Sequence, residues 1–163
     1  MPASPAELFA RFKELGIAHT TVEHQPVFTV DESQALRGTL PGAHTKNLFL
    51  RDKDGRMALV IAKEDTKVDL KSLSGKLGLG RFSFGKPDLL AAVLGVEPGS
   101  VTPFALINET SRGVTVVVDQ ELLAFAEVNA HPLKNSATTR VPTEDLLRFI
   151  RACGHEPLIL DLG

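Results

Sequence analysis

Cysteine is close to absent: Cys153 is the single one in 163 residues. One thiol cannot close an internal disulfide, and no charged-then-apolar leader opens the chain, so a reducing, cytoplasmic setting is expected. The same scarcity excludes a thiolate metal cluster. The histidines, His19, His24, His44, His131 and His155, include no pair at helical metal-ligand spacing, and no metal is expected. As a nucleophile Cys153 also lacks support. It stands at the expected end of a helix beside Gly154, with only His155 near it to stabilise a thiolate.

Basic excess is missing too. Eighteen Lys and Arg against 20 Asp and Glu give a net charge of −2 and a pI near 6.2, which excludes a DNA binder that works through bulk charge. Any nucleic acid must be gripped locally. No apolar run approaches the ~20 residues of a membrane span. The glycines of Gly78-Leu79-Gly80-Arg81-Phe82-Ser83-Phe84-Gly85 lack the spacing of a dinucleotide loop and the lysine of a phosphate loop, and no Gly-x-Ser-x-Gly elbow exists. No cofactor is expected.

At 43% apolar, residues 1–163 suffice for one domain with an ordinary core. Ser4-Pro5-Ala6-Glu7 reads as a capping box opening a helix that Gly16 ends. A strand is expected over 17–23, and a short helix over 31–37, hinged by Gly38 and Pro41-Gly42, that gates whatever lies beyond. The Asp-Gly pair of Asp52-Lys53-Asp54-Gly55 predicts a hairpin between strands at 48–51 and 57–62. Helices follow from Asp69 through 77 and from Pro87 to Gly95. Strands are expected over 101–107, 114–119, 125–128, 137–141 and 158–162, with a last helix over 143–153. Helices interspersed with hairpins indicate an α+β fold, a single domain with a mixed, mostly antiparallel sheet flanked by helices.

Two stretches carry polar chemistry. In a strand over 45–51, Lys46 shares a face with Leu48 and Leu50, while Asn47 and Phe49 share the other. An ammonium on so oily a face either reaches water past the strand end or meets an anionic or carbonyl partner, because burying it alone costs several kcal/mol. The second stretch is the loop Asn129-Ala130-His131-Pro132-Leu133-Lys134-Asn135-Ser136. Proline after His131 restricts its backbone, which suits a ring held for a ligand, and an ordinary surface loop accounts for it as well. Asn129, Asn135, Ser136, Thr138 and Thr139 add neutral donors and acceptors.

Four stretches, in order, carry a resemblance. These are Leu40-Pro41-Gly42-Ala43-His44-Thr45-Lys46-Asn47-Leu48-Phe49-Leu50, Gly75-Lys76-Leu77-Gly78 through Phe84-Gly85, Gly95-Val96-Glu97-Pro98-Gly99-Ser100-Val101-Thr102-Pro103 and Asn129-Ala130-His131-Pro132. Over residues 8–162 the chain resembles the YbaK/ProX family of prolyl-tRNA-editing deacylases, most nearly the freestanding branch that clears alanine from mischarged tRNA(Pro). One departure is visible: related insertion domains of prolyl-tRNA synthetases carry Gly-x-x-x-His-Pro, and Glu127 stands at the glycine position.

The resemblance implies hydrolysis of the aminoacyl ester at the tRNA 3′ end, with aminoacyl-tRNA(Pro), mainly its acceptor end, as partner and prolyl-tRNA synthetase as a transient one. It implies Lys46 and His131 as catalytic residues, with Thr45, Asn47, Asn129, Ser136 and Thr138 binding substrate. A pocket sized for a methyl group excludes proline, so discrimination against alanine on its own tRNA falls to acceptor-stem contacts from Lys71, Lys76, Arg81, Lys134 or Arg140. Hydrolysis of Cys-tRNA(Pro), or tRNA-end binding without turnover, are the alternative readings.

Overall fold

The computed structural model describes residues 2–24 and 41–162; the expected gating helix at 31–37 lies outside the described residues. Helix α1 (Pro5–Leu15) opens on the expected capping box, Ser4 accepting from the Glu7 N–H while the Glu7 carboxylate accepts from the Ser4 N–H. Strand β1 (Thr20–Glu23) follows, then the hairpin β2 (Ala43–Arg51) and β3 (Met57–Lys63). Helix α2 (Leu70–Leu77), the two-residue β4 (Ser83–Phe84) and α3 (Pro87–Leu94) lead to β5 (Thr115–Asp119). The chain closes with β6 (Glu127–Ala130), β7 (Ala137–Pro142), α4 (Thr143–Ala152) and β8 (Leu158–Leu160).

The strands form one eight-stranded sheet in the order β1-β7-β6-β2-β3-β5-β8, with β4 paired to β2. Pairs β2/β6, β3/β5 and β5/β8 are parallel and the other four antiparallel, so the sheet is mixed as the residues suggest. Strand β3 is central and buried on both faces, which is why Ala58-Leu59-Val60-Ile61-Ala62 has no polar alternation. Leu59 and Ile61 join a core with α1, α3 and α4; Ala58, Val60 and Ala62 join a smaller one with Leu73 of α2, Phe82 and Leu162.

The hairpin turn has a second duty. Burial alone would push the Asp52 carboxyl upward, but bonds from the N–H groups of Arg56, Gly80 and Asp54 and from the Arg56 guanidinium hold it below the usual carboxylate range. Through Gly80 this turn anchors the chain that becomes β4.

Three expectations require correction. Residues 101–107 are not a strand: Pro103–Ile107 is a 3-10 helix, because Thr102 Oγ1 accepts from the Phe104 N–H at 3.3 Å and Pro103 presets the first turn. The strand expected at 125–128 is displaced to β6. Asp119 caps a 3-10 turn over Gln120–Ala124, so Asn129 and Ala130, expected in a loop, are sheet residues. Thr143, expected to cap α4, lies inside it, and its hydroxyl donates to the Phe125 carbonyl at 2.6 Å.

Candidate active site

Strand β2 is covered unequally. Strand β3 pairs with it from Thr45 to Arg51. On the other side β6 reaches only Ala43 and His44, and β4 only Leu50 and Arg51. Among the described strands, nothing pairs with that edge at positions 45–48. The His44 carbonyl accepts from Glu64 on the β3 side, whereas the Phe49 carbonyl accepts from the Gly85 N–H on the β4 side at 2.9 Å. By this alternation the N–H and C=O of Asn47 face the uncovered edge.

A pocket of about 250 Å³ opens there, walled by Asn47, Phe49, Phe84, Gly85, Pro98 and Gly99 among others. Gly85 makes it possible, since a Cβ at this position would sit 2.4 Å from Cδ2 of the buried Phe49 ring. Gly85→Ala is therefore expected to cost about 1–3 kcal/mol by overpacking, lowering Tm by about 2–12 °C in a thermal melt.

Register brings distant residues level. In the parallel pair His44 lies opposite Asn129, so Lys46 and His131 each stand two residues beyond a paired position, past the end of that pairing. Lys46, half-buried, lies beside Ala62, and among the described residues its ammonium has no hydrogen bond or ion pair. Its field reaches Asp65, whose carboxyl is held low first by its bond to Lys63 and to a smaller extent by Lys46.

His131 Nδ1 lies 2.9 Å from the Ala137 carbonyl, an acceptor only, so Nδ1 carries the proton. In the neutral ring, Nε2 then keeps its lone pair. Burial pushes His131 below the ordinary histidine value; the bond to Ala137 opposes this in part, and the charge of His24 adds to it. Leu133 in the same loop has φ of +70°, a conformation that leucine rarely adopts.

A short chain of bonds orients the polar edge. The Thr45 hydroxyl donates its one proton to the Asn129 carbonyl at 2.8 Å, so it can only accept from Asn47 Nδ2, 3.1 Å away. The amide of Asn47 is thereby fixed with Oδ1 turned from Thr45, and that oxygen is buried without a donor. Leaving it so costs about 1–3 kcal/mol. Asn129 itself donates to the carbonyls of Pro41 at 2.8 Å and Ala43 at 3.2 Å, clamping the turn into β2. Gly42 is needed beneath the clamp: its φ is +87°, and a Cβ would lie 3.1 Å from both Asn129 Nδ2 and the Glu127 carbonyl.

The remaining candidates divide. Thr138 Oγ1 is 2.9 Å from His24 Nε2, and the His24 N–H donates to the Ser136 carbonyl. His24 was not a sequence candidate; only the β1/β7 register, Glu23 opposite Ala137, brings it within 6.3 Å of His131, ring to ring. Lys134 is paired with Glu23 and Arg140 with Glu127, so Glu127 serves as a cross-strand partner. Lys76 instead donates to the Asp161 carbonyl at 2.6 Å, and Arg81 lines a separate hollow with Lys71 and Asp69. Cys153 packs against the larger core, and burial pushes its thiol up to about 11, which leaves it inert at neutral pH.

Among the described residues, a cation without a partner, a neutral imidazole and a row of peptide groups left uncovered suit attack on a carbonyl that gains negative charge. The class is that of an ester-cleaving editing enzyme. The aminoacyl-tRNA editing domain family matches residues 24–149, and the chain belongs to this family as an aminoacyl-tRNA deacylase. It is 42% identical over 156 residues to a prolyl-tRNA synthetase associated domain-containing protein 1 from Danio rerio, covering 94% of this chain and 85% of the relative. It is 39% identical over 149 residues to the prolyl-tRNA editing protein ProX of Acetoanaerobium sticklandii, covering 91% of each. In three dimensions it superposes, with a TM-score of 0.72 and 20% identity, on a candidate trans-editing enzyme for prolyl tRNA synthetase, covering 98% and 97% of the two chains.

Proposed function

We propose that residues 1–163 act in trans, in the cytoplasm, to hydrolyse the ester of alanine mischarged on tRNA(Pro), with prolyl-tRNA synthetase as a transient neighbour. The observation that carries this reading is Lys46, a half-buried ammonium with no partner among the described residues, on the strand whose edge no described strand pairs at 45–48. The names of the relatives that edit prolyl-tRNA support the choice of tRNA.

In this reading the ester lies across the open edge. The Lys46 ammonium binds the carbonyl oxygen and stabilises it as negative charge develops. His131 Nε2 orients the attacking water and accepts its proton. Water oxygen bonds to the carbonyl carbon, the bond to the ribose oxygen breaks, and the proton passes to the departing hydroxyl. The Asn47 carbonyl at that edge accepts from the α-ammonium, and Thr45 and Asn129 hold Asn47 in place. Ser136 and Thr138 fix His24 beside His131. Lys134 and Arg140, and at greater distance Lys76 and Arg81, supply local positive charge for the acceptor stem.

The test is a deacylation assay across Ala-, Cys-, Ser- and Pro-tRNA(Pro), with Ala-tRNA(Ala) as control. Selective loss of alanine from tRNA(Pro) is expected. Preference for cysteine would change the substrate and keep the class, while inactivity on all would refute turnover.

A pH dependence follows from His131. Its folded value lies below the ordinary one of about 6.5, so the neutral base persists at neutral pH and the acid limb of the rate falls with a midpoint below about 6.5. Stability follows the same sign. Below about 6.5 the unfolded chain binds the extra proton first, so the contribution of His131, and of His155, which burial also lowers, is complete above 6.5. It is lost as pH falls through the folded values, which denaturant titrations at pH 7.5 and 5.5 would measure.

A further inference from the structure

Among the large apolar side chains of the described residues, Phe84 is the most exposed, at 61%, where the next reach 37–43%. It packs in neither hydrophobic core. Its backbone is nonetheless tightly held. Phe84 pairs with Leu50 of β2, the Gly85 N–H bonds the Phe49 carbonyl, and the Gly80 N–H before β4 is tied to Asp52. A rigid backbone thus presents an aromatic ring that contributes little to the fold. The ring also walls the same pocket as Asn47.

We infer that Phe84 is a stacking platform for the base of the terminal nucleotide of the tRNA. The inference rests on the reading that an aminoacyl ester occupies the open edge of β2. Any such ester is joined to a ribose, so a nucleobase necessarily lies one sugar away from the carbonyl. The wall beside Asn47 is largely apolar and includes the exposed Phe84 ring, and an exposed aromatic ring is the chemistry that holds an unpaired base, which stacks on it without needing hydrogen bonds. Phe84 is therefore a positioning residue: it holds the nucleoside so that the ester falls beside Lys46, and touches none of the reacting atoms.

The experiment is a two-by-two cycle. Wild type and Phe84→Ala are assayed on an alanylated acceptor-stem minihelix and on the same helix ending in an abasic ribose, with Phe84→Tyr as the conservative control. Phe84→Ala is expected to lower kcat/KM on the complete helix about 5- to 150-fold, mainly through KM. Removing the base should lower wild-type kcat/KM by a similar factor. On the abasic helix Phe84→Ala should then change nothing further, and Phe84→Tyr should remain near wild type throughout. Equal losses on both helices would mean that Phe84 merely shapes the pocket, and would overturn the platform, as would no loss at all. A wild type inactive on both helices would overturn the reading of the site, and the platform with it.

Discussion

Lys46→Ala is expected to lose deacylation by about 10²–10³-fold in kcat, the scale for removing one group that stabilises a developing oxyanion. Affinity for uncharged tRNA should change little. Lys46 lies on the apolar side of β2 beside Ala62, and its removal breaks no bond among the described residues. Replacement by alanine on an otherwise oily face should leave stability unchanged or slightly improved. Single-turnover rates together with binding to uncharged tRNA separate the outcomes. Loss of binding in parallel with rate would make Lys46 a phosphate contact, and an unchanged rate would remove it from the chemistry. Lys46→Arg should recover only part of the rate, because a planar guanidinium replaces a compact charge.

Phe12→Ala should cost about 3–5 kcal/mol, near the upper end for a single core substitution. Phe12, Phe104 and Phe149 are each 0–1% exposed and meet edge to face, with centroids 5.2 Å apart for Phe12–Phe104, 5.5 Å for Phe12–Phe149 and 5.6 Å for Phe104–Phe149. This triangle joins α1, the 3-10 helix after Thr102 and α4 into one layer on the sheet. Deleting one ring leaves the other two without their partner and opens a cavity the surrounding elements cannot close. A drop in Tm of about 6–20 °C is expected by calorimetry. Activity per folded molecule should persist well below the new Tm, the reverse of the pattern for Lys46.

Local signals were legible wherever a residue acts on its own neighbours. The capping box of Ser4 and Glu7, the Asp52 to Gly55 turn, Asp69 at the start of α2 and Gly95 at the end of α3 all stand where the residues place them. The buried strand expected over 114–119 likewise stands as β5. The 101–107 segment misled because its apolar run suits a strand or a buried turn equally, and the Thr102-Pro103 pair decided for the turn. The displacement of β6 has a similar origin: Phe125 has strand character, yet it closes the 3-10 turn ahead of β6 and stands 37% exposed.

For the site, the sequence by itself determined which residues are candidates: a lysine opposite to Asn47 across β2, a histidine followed by proline, and the glycines that allow close approach. Period-two alternation suffices for that, because it depends only on residues two apart. Tertiary structure alone decided that β6 and β4 cover the two ends of β2 and that no described strand covers its middle. It alone turned Asn47 Oδ1 from Thr45, brought His24 beside His131, and bound Lys134 and Arg140 to carboxylates. These outcomes depend on pairings between segments far apart in the chain. Register across such distances is chosen by the packing of both sheet faces together, which no local pattern records.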